Sequence, residues 1–555
     1  MSDPQVLRVN EVNSVNRVDQ AIINQALIAA TYEMGVKLIR SAHSPIVREA
    51  QDCSAAIINA TGQVVAQAEL TAIQLGSISQ TLAPCLALFP PETLGERDFL
   101  ISNDPFSNGQ HVPDIFIFTP VFVDKQLVAF IATVAHHIDL GGGAPGLNPQ
   151  AGDVHQEGLI FPPTRYNLDH DWNGGPFERM IAANVRMPEA TIGDINAQFA
   201  ANSIGARRVR SLANKYGVGQ LGAAMDEMLN YSERRMRAAI DKLPNGIYTA
   251  DAALDDDGLG TEPVVIKTQV EIDGSNVRIR FDGSAPQVAT YLNCPVASTV
   301  AAAIACAKSV LTDPDIPFND GAARVIQVDA PLGSILNPRR PAPVRARLLA
   351  SHRVFNAVMM ALSQVAPNQV IAEGFDSTTP VCLSHLGENG YNIYLEILGG
   401  GYGAGPDNDG CDGVDCPLSN CANIPIEALE MDYDFLRIED YTLLADSGGD
   451  GAQRGGLGFA RVYRITRDNV QFATYSDRFK TPARGILGGK PGALASMTVI
   501  RGDEKIALTS KCGFTLQRDD VLVVRTGGGG GYGLPAQRSA LLRSDDITQG
   551  FVTVS

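Results

Sequence analysis

Residues 103–139 read NDPFSNGQHVPDIFIFTPVFVDKQLVAFIATVAHHID, and this stretch decides the architecture of the first part of the chain. Two apolar runs, 115–123 and 127–134, flank polar Asp124 and Lys125, the pattern of a β-hairpin. His111 and Asp114 precede the first run, and His136 and His137 follow the second. Folding back at 124–125 gathers imidazoles and a carboxylate at one open end. With a two-residue turn there, facing positions sum to about 249, placing His136 opposite Pro113 and Ala135 opposite Asp114.

Strict alternation then puts His111 with His136 on one face and Asp114 with His137 on the other. Either the register is irregular or one histidine is a spectator. Pro113 cannot donate to a strand ladder, so a break between His111 and Asp114 could swing the carboxylate across. A mixed imidazole and carboxylate set suits zinc, manganese or iron(II), and an unfilled position would admit water or substrate. A single loop His or Asp more often caps a turn, but four of the eight histidines (His111, His136, His137 and His155) crowd into 45 positions among Gly-rich turns.

Upstream, residues 18–41 carry a helical apolar face, and strands 54–58 and 63–66 surround Ala60-Thr61-Gly62 as a second hairpin. Asp52 stands at its mouth as a candidate fourth ligand. Helices are expected over 195–212, 220–243, 297–311 (closed by Pro314) and 345–365. Strands are expected over 264–272, 277–281, 391–398, 460–467, 470–475, 496–500 and 521–525. Blocks of helix and strand without strict alternation imply an α+β, or irregular α/β, architecture of several packed domains. The divisions are 1–180 with the metal-type hairpins, a helical 181–260, an α+β 261–345, and a strand- and glycine-rich 346–555.

The chain has 555 residues, 45% hydrophobic and 19% charged, which suits a soluble protein with a large core. No run reaches the ~18–20 apolar residues of a membrane span, and the opening MSDPQVLRVNEVN lacks the features of a signal peptide, so a cytoplasmic location is expected. A net charge of −17 with no basic stripe argues against nucleic acid or an anionic membrane as partner. Nine scattered cysteines imply reduced thiols, and Cys411, Cys416 and Cys421 read as thiols lining a loop rather than a structural zinc site.

Two glycine motifs fail as nucleotide sites. Gly399, Gly401 and Ala404 are followed by GPDNDGCDG, which cannot open the helix that a dinucleotide turn requires. GILGGKPG, ending at Gly492, is one residue short of a phosphate loop and has Pro491 where Ser or Thr belongs. The tail TGGGGGYGLP and the run 399–405 read as places of tight backbone packing.

Taken in order, EAQDCS (49–54), NDPFSNGQHVPD, AHHIDLGGGAPG, HQEGLIFPP, LTDPDIPFNDG, NIPIEALE and TGGGGGYG resemble the hydantoinase B family over roughly residues 10 to 536. That family includes the B halves of ATP-dependent 5-oxoprolinases, N-methylhydantoinases and caprolactamases, and subunits of acetone and acetophenone carboxylases. The resemblance implies a metal site of Asp52, His111, Asp114 and His136. His137, Asp139, His155 and Glu157 follow as candidates behind the ligands or facing substrate, with His137 counted among the catalytic residues. It also implies a divalent metal, zinc first with manganese or iron as alternatives. The expected partner is a hydantoinase A-type ATP-binding subunit, in a heterotetramer of two copies of each. The expected activity is hydrolysis of a small cyclic amide whose oxygen is phosphorylated in that partner. An ATP-dependent ketone carboxylase subunit and a non-catalytic scaffold for the ATPase are the competing readings.

Overall fold

A computed structural model of the protein describes residues 17–312 and 315–553. The opening segment and Pro314 therefore lie outside the described residues. Four sheets and a set of helices make a mixed α+β architecture, as the sequence implies.

The first sheet holds β1 (Cys53–Asn59), β2 (Val64–Gln67), β3 (Asp98–Ser102), β4 (Asp114–Val123), β5 (Gln126–His136) and β6 (Thr164–Asn167), in the order β2-β1-β5-β4-β3-β6. The second runs β10 (Ile326–Asp329), β9 (Asn276–Arg280), β8 (Val264–Asp273) and β7 (Gly246–Leu254). The third joins β12 (Gly390–Leu398), β11 (Thr379–Gly387), β15 (Val470–Tyr475) and β18 (Lys511–Leu516). The fourth is β13 (Leu436–Leu443), β14 (Phe459–Ile465), β19 (Val521–Arg525), β16 (Ser496–Arg501) and β17 (Glu504–Leu508).

Both faces of the first sheet are covered. Phe116, Phe118, Phe130, Ala132 and Val134 pack with Ile78 and Leu82 of the helix Ile78–Leu88. The opposite face meets the helices Arg17–Ser41 and Pro188–Tyr216, where Gly205 lets the second helix close on Met34 and Ile131. A Cβ at Gly205 would stand 2.5 Å from the Met34 sulfur. The largest buried apolar cluster extends from Ile23 to Tyr532, so the C-terminal half packs into the same core.

The hairpin register differs from expectation by one residue, and the reason is local. Asp124 and Lys125 both take positive φ, 48° and 66°, the backbone of a two-residue hairpin turn whose twist matches the strands. Val123 faces Gln126 and Phe122 faces Leu127, as a sum of 249 requires, but the next pair is Val121 and Ala129. Val128 is the extra residue of a β-bulge. From there on the sum is 250, so Asp114 faces His136 and Ile115 faces Ala135; the expected pairings of His136 with Pro113 and Ala135 with Asp114 are corrected.

In the glycine-rich tail, backbone packs on backbone. A Cβ at Gly529 would lie 2.0 Å from the Tyr402 carbonyl oxygen, and one at Gly528 would lie 1.8 Å from that of Ser447. We expect Gly529→Ala to lower unfolding free energy by roughly 3 kcal/mol or more, because a carbonyl cannot rotate away as a side chain can. Gly222→Ala, inside the helix Val218–Ile240 with open space at its Cβ, should instead stabilise by about 0.5–1 kcal/mol. Urea unfolding followed by circular dichroism compares the two. Among the described residues no helix is long and apolar enough to cross a membrane.

Candidate metal centre

Three adjacent strands deliver one row of side chains. Cys53 faces Ala135 across β1 and β5, so Asp52, one residue earlier, lies beside His136, whose N–H donates to the Asp52 carbonyl at 3.0 Å. Asp114 faces His136 from the other side, on β4. His111 joins through a turn, the Asp114 N–H donating to the His111 carbonyl at 3.0 Å. The chain break expected at Pro113 is thus present, but the bulge at Val128 is what unites His136 with Asp114 on one face.

His111 Nε2, His136 Nδ1 and Asp114 Oδ1 form a triangle with sides of 3.2, 3.2 and 3.4 Å. Asp52 Oδ2 lies 3.5 Å from His136 Nδ1. Donors held about 2.1 Å from one ion at tetrahedral angles stand about 3.4 Å apart, so the donor set fits a divalent cation. Among the described residues this is the one cluster of three such side chains whose donor atoms converge, and all three are buried.

The surrounding hydrogen bonds orient the donors. His111 Nδ1 donates to the Arg345 carbonyl at 2.9 Å, which leaves the Nε2 lone pair facing the cluster. That carbonyl is positioned by Glu157, whose Oε1 accepts the N–H groups of Val344 and Arg345, each at 2.8 Å. Arg347 Nη2 donates to Asp114 Oδ2 at 2.6 Å and to Gln110 Oε1 at 2.5 Å, and Gln74 Nε2 donates to Asp52 Oδ1 at 2.9 Å.

Burial, with Arg347 adding to it, brings the His111 imidazole down to about 3, and burial brings His136 down to about 4. Both rings are therefore neutral near pH 7, the form that ligates metal. Burial works to raise the Asp114 carboxyl, but His111 and Arg347 outweigh it and hold the group well below its ordinary range. Since the imidazole is neutral, Arg347 is the standing counter-charge. Burial and then the Asp114 carboxylate push Asp52 up to about 8. Two acids sharing a site thus divide into one charged and one protonated, a division that a bound cation would reverse.

The other sequence candidates go elsewhere. His137 points to the opposite face, its Nε2 3.1 Å from Gln198 Oε1, and is not brought into the cluster. Asp139 is held by Arg186 at 3.0 Å, and His155 is exposed on the turn Val154–Glu157. Glu157 sits behind His111. Cys416 and Cys421 are buried and Cys411 is exposed, all three as free thiols. Sequence reasoning missed Gln74, Gln110 and Arg347. Arg347 lies more than 200 positions from its partner Asp114, and the run PVRARLLASHRV carries no local sign of its role.

A cavity of about 10 Å³ adjoins the cluster, bordered by Thr71, Thr378, Ser419 and Tyr475 besides the ligand-type residues. It has room for about one water molecule. His136 Nε2 and Thr71 Oγ1, both from residues on that cavity, are buried and have no protein partner.

Residues 16–535 match the Hydantoinase B/oxoprolinase family. The chain belongs to that family. Within it, the chain is 32% identical to a putative D-/L-hydantoinase subunit of Pseudomonas sp. (strain NS671), across 98% of this chain and 94% of that one. The crystal structure of the ATP-dependent caprolactamase from Pseudomonas jessenii superposes with a TM-score of 0.90 at 28% identity, covering 98% of this chain and 95% of that one. Nucleotide-free acetone carboxylase shares the fold, with a TM-score of 0.87 at 17% identity over 98% of this chain and 79% of that one.

Proposed function

We propose that this chain is the metal-dependent subunit of an ATP-dependent cyclic amide hydrolase. The observation that carries the reading is the convergence of two neutral imidazoles and one charged carboxylate on edges of 3.2–3.4 Å. His111, Asp114 and His136 would hold the cation, zinc first and manganese or iron otherwise, with Asp52 as fourth donor. A cation there supplies Lewis acidity to a bound water and to an amide carbonyl. Arg347 keeps Asp114 ionised, Glu157 fixes the carbonyl that orients His111, and the enclosing side chains limit the water admitted.

A separate ATP-binding subunit of the hydantoinase A type is the proposed partner, in a heterotetramer of two copies of each. The relatives are themselves named as subunits, which supports it, and the glycine loops of this chain support it further by lacking a phosphate-binding form. Hydrolysis of an unstrained amide is slow, so phosphorylation of the amide oxygen in the partner would make that oxygen a leaving group. The shared fold of acetone carboxylase favours a second reading, carboxylation of a ketone.

The co-purified pair, given ATP, cyclic amides and labelled bicarbonate, separates the readings. Ring-opened amino acid without label supports hydrolysis, whereas label retained in an acid product supports carboxylation. Metal analysis of the chain alone tests the site: no divalent metal, with no change on His111→Ala, overturns it. Glu157→Ala removes no donor atom but frees the 344–345 backbone, so metal affinity should fall about 10–100-fold in a chelator titration.

A further inference from the structure

A chamber of about 980 Å³ lies beside the metal cluster, and the wall between chamber and cluster is one residue thick. Thr71 borders the small cavity at the cluster, while its neighbours Leu70 and Ala72 border the chamber. Ser419 likewise borders the cavity, while Asn420 and Cys421 border the chamber. The two segments are latched together: the Ile73 N–H donates to the Leu418 carbonyl at 2.9 Å, and Asn420 Nδ2 to that of Leu70 at 3.2 Å. A cavity of about 10 Å³ cannot hold an organic ring, whereas the chamber can.

Two buried side-chain atoms on the chamber lack partners among the described residues. One is a donor, Gln67 Nε2, on a residue 8% exposed; the other is an acceptor, Asp415 Oδ1. The second oxygen of Asp415 is occupied, accepting the Cys421 N–H at 2.6 Å. Gln67 lies four residues before Thr71, and Asp415 four before Ser419, so the same two segments that form the wall carry the unpaired donor and acceptor. A buried polar atom left unpaired costs stability, and a ligand that pairs it recovers the loss. Inside a small ring an amide is held cis, so its N–H and C=O project from one edge and offer one acceptor and one donor together.

We propose that this chamber is the substrate site and takes an uncharged cyclic amide, with Gln67 donating to its carbonyl and Asp415 accepting its N–H, against the wall of the metal centre. This deepens the hydrolase reading and rests on it for the fate of the amide, though not for its binding.

The test uses the full-length chain stripped of metal, without ATP or partner. Saturation-transfer NMR compares 2-pyrrolidone and ε-caprolactam with γ-butyrolactone and ε-caprolactone, rings of the same size that lack the N–H. The lactams should bind at least about tenfold more tightly than their lactones. Asp415→Asn, which turns an NH₂ toward the chamber, should erase that preference, and Gln67→Met should weaken lactams and lactones alike by about tenfold. Metal uptake by both variants should match the parent, which confirms that they fold. Absence of binding to the parent chain, equal binding of lactam and lactone, or a preference unmoved by Asp415→Asn overturns the proposal. Failure of the metal reading would show separately, as a chain that takes up no metal yet still prefers lactams.

Discussion

Replacing His136 with alanine is expected to leave the purified protein without stoichiometric divalent metal and to cut ATP-coupled amide hydrolysis by roughly 10²–10³-fold or more. The ring is the middle member of the row Asp52–His136–Asp114, and it stands within 3.5 Å of all three other donors. Its loss removes the atom to which the rest are referred. His137→Ala is the matched control. It deletes an adjacent imidazole of equal burial whose contact is Gln198 on the far face, so metal content should be retained. Elemental analysis of both variants, with thermal melts to verify folding, decides the matter. Equal loss of metal in the two would mean that the assignment of faces is wrong.

The largest stability effect is expected at Glu373, 3% exposed, which ties its own loop to the segment 478–484. Its Oε1 accepts from Arg484 Nε at 2.9 Å and Nη2 at 2.7 Å, and its Oε2 accepts from Arg478 Nη2 at 3.0 Å. Burial works to raise the carboxyl, but the charges of Arg478 and Arg484 overcome it and bring the group down to about 2. A folded-state value below the ordinary one means that the stabilisation is complete above about pH 4.5 and is lost as pH falls toward 2. Glu373→Gln should therefore cost roughly 3 kcal/mol at pH 7, and the gap from the parent should narrow below pH 4.5. Denaturant titrations at pH 7, 4 and 3 measure it; a gap that stays constant with pH would remove the ion pairs as its cause.

Much of the centre was legible because its donors sit at the ends of elements with strong local signals. Polar Asp124 and Lys125 between two apolar runs specify the turn, and the turn specifies which ends meet. The helix expected over 18–41 forms as Arg17–Ser41, and strands expected over 470–475 and 521–525 form as Val470–Tyr475 and Val521–Arg525. What stayed hidden depends on contacts between distant segments. Gly246–Leu254 and Thr379–Gly387 were missed as strands, being short and rich in small or polar residues, and they are held by pairing with neighbours rather than by their own propensity. Gln74, Gln110 and Arg347 became visible only when three remote segments met over Asp114.

The unpaired Val128 shows how a protein can choose between neighbouring side chains by counting. Its own methyl groups face the core, and nothing in them addresses the distant histidines. Any residue that fits at that position would keep the odd number that sends His136 inward and His137 away. Deleting the residue would restore even phase along the ribbon, present His137 to Asp114 and turn His136 toward the helix behind. Length, rather than chemistry, at position 128 thus acts as the selector switch for which imidazole serves the centre.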